Sequence, residues 1–290
     1  MGHKNKESLI KQVQTKLLNK MAAGDSRHSA KALGIADTKI YSYGTLNAYM
    51  QQCCDFVKFA KSEYGAKTLE DCRPHVDAFL QRSMESGKSS YTVKLQASAL
   101  AKLYDCSSSA FVSTSSRSRD SITRSRGTAV RDSHFSEDRN RALVDFCCAT
   151  GLRRHELTAL TGDCLRQTEN GSYQIWVRSG KGGKSRLAPV VGNKQQVQNV
   201  VNLCNQAGDG KVFASVHNGA DIHHYRGIYA ERVYSSHARP IATLQGSEKY
   251  HCRGDKKGVV YDRQALQIAS QALGHNRVSV IPAHYLYTME

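Results

Sequence analysis

Apolar positions recur at helical spacing through the N-terminal third of the chain. Between residues 8 and 22, Ile10, Val13, Leu17 and Met21 share one side and lysines the other. Leu46, Tyr49, Met50, Cys53 and Val57 follow the i, i+3, i+4, i+7, i+11 series of a second helix. Thr68-Leu-Glu-Asp71 reads as a variant capping box and opens a predicted helix carrying Cys72, Val76, Phe79 and Leu80. Gly87 breaks that helix. Ser89 or Ser90 caps another, with Val93, Ala97, Leu100 and Tyr104 in register. Residues 1–106 are therefore predicted to form a helical bundle. The periodicity then stops: residues 107–131 hold nine Ser and five Arg with little apolar content, which predicts a basic linker.

From residue 132 the pattern resumes, with both helical and alternating periods. Ser136 to Ala149 reads as a helix, with Ser136 as N-cap, acids in its first turn, and Leu143, Phe146 and Cys147 on one face. Gly151 ends it. Arg153 opens the next helix, and the i, i+3 spacing puts Glu156 on the same face. A guanidinium held by a carboxylate at a helix start suits a phosphate clamp, and equally a surface ion pair. Tyr173–Val177 alternates as a strand and Leu187–Val191 is a second apolar run, so the Gly-rich stretch between them predicts a β-hairpin. Gly183-Lys184-Ser185 imitates the end of a P-loop, but position 178, where the first Gly of that motif belongs, is Arg, and a strand rather than a helix follows. ATP binding is excluded on those grounds. Residues 192–206 form a further helix. The region from 216 to 247 is the least legible. In His223-His224-Tyr225-Arg226 two adjacent His cannot share a helix face, so surface or DNA-backbone contact is expected there rather than a metal site. Asp262–Leu273 is a helix ended by Gly274, and Tyr285 and Tyr287 follow Pro282. The fold class predicted is mainly α with a small β-sheet in the second domain, an α+β chain.

Charge narrows the function. The 290 residues carry 41 Lys+Arg against 25 Asp+Glu, a net charge of +16. Such an excess is costly to keep compact without an anionic partner, and nucleic acid is the leading candidate. No apolar run approaches the roughly 18 residues of a spanning helix, so no membrane partner is expected. The first residues, MGHKNKESLI, turn polar at once, which predicts no secretory signal and a cytoplasmic location. Nine Cys without a CxxC pair argue against a disulfide framework and a structural zinc site.

Taken together these segments resemble the tyrosine recombinases of the phage-integrase family, in layout over the whole chain and in motif over residues 132–290. The family carries a TGLRxxEL box, matched by Thr150-Gly-Leu-Arg153-Arg-His-Glu156-Leu. Its GKGxKxR hairpin is matched by Gly180-Lys181-Gly-Gly-Lys184-Ser-Arg186. HxxR, LGH and a Tyr about ten residues on are matched by Tyr250-His251-Cys-Arg253, Leu273-Gly-His275 and Tyr285. Tyr250 stands where the family usually has His, and His251 is one residue late, so either is a candidate for that role. Tyr287 is the alternative to Tyr285, which lies nearer the family spacing from His275. Arg154 is the alternative to Arg153.

The resemblance implies a core-binding domain at 1–106, a linker at 107–131, a catalytic domain at 132–290, and phosphoryl transfer without metal, ATP or other cofactor. Tyr285 would attack a DNA phosphate and expel the 5′-hydroxyl, leaving a 3′-phosphotyrosyl link. Arg153 and Arg253 would clamp the equatorial oxygens, with Tyr250 and His275 as hydrogen-bond partners. Lys181 would serve as general acid, its pKa lowered from about 10.4. Glu156 and His251 would support them. Lys184 and Arg186 on the hairpin, and Arg117, Arg119, Arg124 and Arg126 in the linker, are expected to contact DNA. The expected partners are duplex attachment sites, three further subunits in a homotetramer, and accessory DNA-bending or directionality factors. Nucleoid association follows from such partners. The rival readings are a non-catalytic DNA-binding regulator derived from a recombinase and a type IB topoisomerase-like enzyme.

Overall fold

The computed structural model describes residues 7–117, 135–180 and 183–286. The chain divides into two compact units, Met1–Ser121 and Ile122–Glu290. The division falls within the Ser/Arg-rich stretch.

The first unit is helical: α1 (Leu9–Leu18), α2 (Arg27–Ala32), α3 (Tyr43–Tyr64), α4 (Leu69–Cys72), α5 (Val76–Glu85) and α6 (Ser90–Leu103). Ser8, Ser26, Ser42, Thr68 and Ser89 cap α1, α2, α3, α4 and α6 through their side-chain oxygens. The helix predicted from Thr68 onward is split. Pro74 lacks an N–H, and a 3-10 turn at Arg73–His75 separates α4 from α5. α2 carries no sequence signature, because Ala30 is its one buried residue and leaves no period to read. Phe56 anchors the core, edge-on to Phe79 at 5.4 Å and to Tyr104 at 6.2 Å. The Tyr104 hydroxyl donates to the Leu69 carbonyl at 2.9 Å. Phe111 and Val112 still pack on this core, so the bundle runs past residue 106.

The second unit contains α7 (Arg141–Thr150), α8 (Arg154–Ala159), β1 (Leu165–Gln167), β2 (Tyr173–Val177), β3 (Arg186–Pro189), α9 (Lys194–Ala207) and α10 (Ile222–Ser235). After them come β4 (Lys249–His251), β5 (Val260–Asp262), α11 (Arg263–Ala272) and α12 (Val280–His284). β1, β2 and β3 form an antiparallel sheet in that order, with Val177 opposite Arg186; β4 and β5 pair separately. The fold is thus α+β, mainly helical with small antiparallel sheets. The helix expected from Ser136 begins five residues later than its expected cap, at Arg141, and Ser136 instead accepts from the Arg139 N–H in a preceding turn. α10 is the central helix. Ile222, Tyr225, Arg226, Tyr229, Ala230 and Val233 are all buried along one broad face, while His223 and Ser235 are exposed.

Candidate active site

The site starts where α7 ends. Gly151 has φ +59°, and a Cβ there would lie 2.3 Å from the Tyr229 ring of α10. Only glycine allows that turn and that contact together. The turn leaves Arg153 extended as the N-cap of α8. Glu156, three residues on, accepts from the Arg153 backbone N–H and from its Nη1, both at 2.8 Å. Arg153 Nη2 reaches across to the carbonyls of Leu273 at 3.1 Å and Gly274 at 3.4 Å. Arg154 points away. Its guanidinium donates to the carbonyls of Val216, His217, Asn218 and Ala220 and so holds a loop.

Glu156 has a second cation. Arg186, at the start of β3, forks onto both carboxylate oxygens at 2.7 and 2.8 Å. Burial of Glu156 would raise its pKa. The hydrogen bonds from Arg186 and from the Arg153 backbone outweigh that and hold it at about 2. Arg186, expected as a DNA contact, has a side chain that is 11% exposed and turned inward onto Glu156.

The opposite wall comes from α10 and the α11–α12 turn. Arg226 is 3% exposed. It donates to the carbonyls of Gly151 and Leu273 and to the Tyr285 hydroxyl, the last at 3.4 Å. Burial lowers its pKa from the ordinary guanidinium value, and the field of Arg153 adds to that. Gly274, at φ +70°, ends α11 and sets His275 in place. His275 is tied by its N–H to the Ser270 carbonyl at 2.8 Å, and its Nε2 lies 3.2 Å from the Tyr285 hydroxyl. The His223 ring centroid lies 5.0 Å from that of Tyr285. Desolvation, then the Arg226 charge, pushes the His223 pKa down. Tyr285 itself is buried at the end of α12. One phenol therefore sits among Arg226, His223 and His275, with Arg153 sharing the Leu273 carbonyl with Arg226.

The segment that meets Tyr285 is not the one expected for the HxxR box. His223-His224-Tyr225-Arg226 fits that pattern without substitution, and its His and Arg both meet Tyr285. Tyr250, His251 and Arg253 do not join them. Tyr250 lies in β4 with the Arg263 guanidinium 5.9 Å from its ring centroid. His251 and Arg253 are exposed and, among the described residues, make no side-chain hydrogen bond or ion pair. For His223 and Arg226 the sequence points only to surface or DNA-backbone contact. Lys184 is exposed at the hairpin, where its carbonyl accepts the Gly180 N–H at 2.8 Å. Arg117 lies over the Tyr91 ring at 5.3 Å in the first unit. Lys181, Arg119, Arg124, Arg126 and Tyr287 lie outside the described residues. Among the described residues, no cluster of His, Cys, Asp and Glu could hold a metal ion.

No protein-family model matches the sequence, and no curated protein is detectably similar to it. Solved structures are. The XerH site-specific recombinase bound to palindromic difH substrate, a post-cleavage complex, aligns over 95% of this chain and 90% of its own, with a TM-score of 0.52 and 15% identity. The pre-cleavage complex of XerH with difH substrate aligns over 97% and 92%, with a TM-score of 0.52 and 14% identity. The chain has the tyrosine-recombinase fold.

Proposed function

We propose that the protein is a tyrosine-type site-specific DNA recombinase that breaks and rejoins DNA strands through Tyr285. The observation that carries this reading is Arg226: a buried guanidinium beside a phenol, with only neutral acceptors and, among the described residues, no carboxylate paired to it. A buried cation in that state is costly unless an anion joins it. A phosphate held between Arg226 and Arg153 would meet the Tyr285 hydroxyl. The net charge of +16 and the recombinase fold point to duplex DNA as its source.

In this proposal the Tyr285 oxygen attacks phosphorus as the bond to the 5′-oxygen breaks. The phenol proton passes to His275 Nε2, and the leaving 5′-oxygen takes a proton from Lys181. Arg153 and Arg226 stabilise the charge on the equatorial oxygens, and His223 lies beside them to donate a further hydrogen bond. The 3′-phosphotyrosyl link keeps the phosphodiester energy. Attack by another 5′-hydroxyl then reverses the step without ATP. The resemblance adds a homotetramer on paired attachment sites, accessory DNA-bending or directionality factors, and nucleoid DNA in the cytoplasm as its setting. Among the described residues no helix is long and apolar enough to cross a membrane.

Incubation with a pool of nicked duplexes of randomised sequence tests the proposal. A DNA adduct that survives denaturation is expected from the wild-type protein. Salt-sensitive duplex binding with no adduct would favour the non-catalytic regulator instead.

A further inference from the structure

The Arg153 guanidinium rests on two supports, the Glu156 carboxylate and the carbonyls of Leu273 and Gly274. Arg186 holds the first and packs beside the second. Its Nη1 and Nη2 take the two Glu156 oxygens, and its Nε lies 3.3 Å from the Ala272 carbonyl, next to Leu273. Its stem also lies under Gly274, where a Cβ would approach Arg186 Cδ to 2.9 Å. The Glu156 side chain is 1% exposed, so water does little to screen its charge.

Charge accounting gives Arg186 its purpose. With Arg153 alone, Glu156 would form a neutral pair and cancel the field that a phosphate must feel. Two guanidinium groups on one carboxylate leave a net positive charge, and the bidentate share goes to Arg186. The Glu156–Arg153 side-chain contact is a single hydrogen bond through Nη1, which leaves other N–H groups of Arg153 for an incoming anion.

We infer that Arg186 is a positioning residue for the proposed cleavage reaction: by neutralising and orienting Glu156 it keeps the Arg153 charge free for the scissile phosphate. This rests on the recombinase reading above. A DNA contact would require the guanidinium to face outward, and it does not.

The test uses the full-length protein and the duplex recovered from the nicked pool, in phosphodiester form and with a neutral methylphosphonate at the scissile position. Arg186→Met should slow adduct formation on the phosphodiester by about 10- to 100-fold, the scale of coupling between residues in one ion-pair network. Duplex affinity should stay within about threefold, because only a rim phosphate contact would change it. Arg186→Lys, which keeps the charge, should recover much of the rate. The paired variant Glu156→Gln/Arg186→Met leaves no orphaned carboxylate. It should fold even if Arg186→Met does not, and it should cleave faster than Arg186→Met. On the methylphosphonate the effect of Arg186→Met should shrink, since one negative charge fewer remains for Arg153 to hold. An equal loss on both substrates, or a paired variant slower than Arg186→Met, would overturn the role. Absence of any adduct from the wild-type protein would instead overturn the recombinase reading, and this inference with it.

Discussion

Replacing Glu156 by Gln removes the carboxylate that Arg153 and Arg186 share. The carboxyl pKa is about 2, against an ordinary value of 4.5. That difference corresponds to about 3 kcal/mol of folding stability. A similar figure, about 3–5 kcal/mol, is typical when one partner of a buried ion pair is removed. The pH dependence follows from the sign of the shift. Because the folded-state value is the lower one, the contribution is complete above about pH 5 and disappears as pH falls through 4.5 towards 2; at about pH 3 more than half is gone. Trp176, the chain's only Trp, lies in β2 and reports on the second unit by fluorescence during urea unfolding. At pH 7 Glu156→Gln should unfold with about 3 kcal/mol less stability than the wild type, and at about pH 3 the gap should narrow to less than half. A gap below about 1 kcal/mol at pH 7, the scale of an exposed ion pair, would refute the reasoning. So would one that holds or widens in acid.

Arg226→Ala should abolish adduct formation while Arg253→Ala leaves it within about threefold, since only the first guanidinium meets Tyr285; a gel assay with the nicked duplex decides this. Gly151→Ala should cost the second unit about 2–5 kcal/mol, because the new Cβ meets the Tyr229 ring and φ is positive. Gly171→Ala, at φ +80° in open space, should cost about 1 kcal/mol in the same urea titration. Lys181→Ala should slow cleavage far more than binding, and a 5′-bridging phosphorothiolate, whose leaving group needs no proton, should rescue it but not Arg153→Ala. Equal rescue of both would remove Lys181 from the acid role.

The parts of the site that were legible in the sequence are those whose logic is local. Gly151 ending α7, Arg153 following it and Glu156 at i+3 form one short stretch, and the structure joins those residues as the spacing implies. Gly274 ending α11 and His275 after it are equally local. Arg226 was hidden because the buried face of α10 itself carries an Arg and several Tyr, so apolar and polar positions do not separate at helical spacing. An imperfect HxxR pattern at Tyr250–Arg253 lies closer to the LGH turn in the sequence. The inward place of Arg186 was illegible for a different reason. Its partner is thirty positions away, and only the fold of β3 beside α8 shows that the fork points inward. The split between α4 and α5, by contrast, was visible in Pro74 itself, which lacks the N–H that a continuous helix needs.

The central claim is that Tyr285 becomes covalently joined to DNA. Digesting the trapped adduct with nuclease and protease, then weighing the peptides, locates the nucleotide directly. The account predicts a nucleotide on the peptide at Tyr285, none from Tyr285→Phe although that variant binds the duplex, and a normal adduct from Tyr287→Phe. A nucleotide recovered on Tyr287, or an adduct formed by Tyr285→Phe, would contradict it.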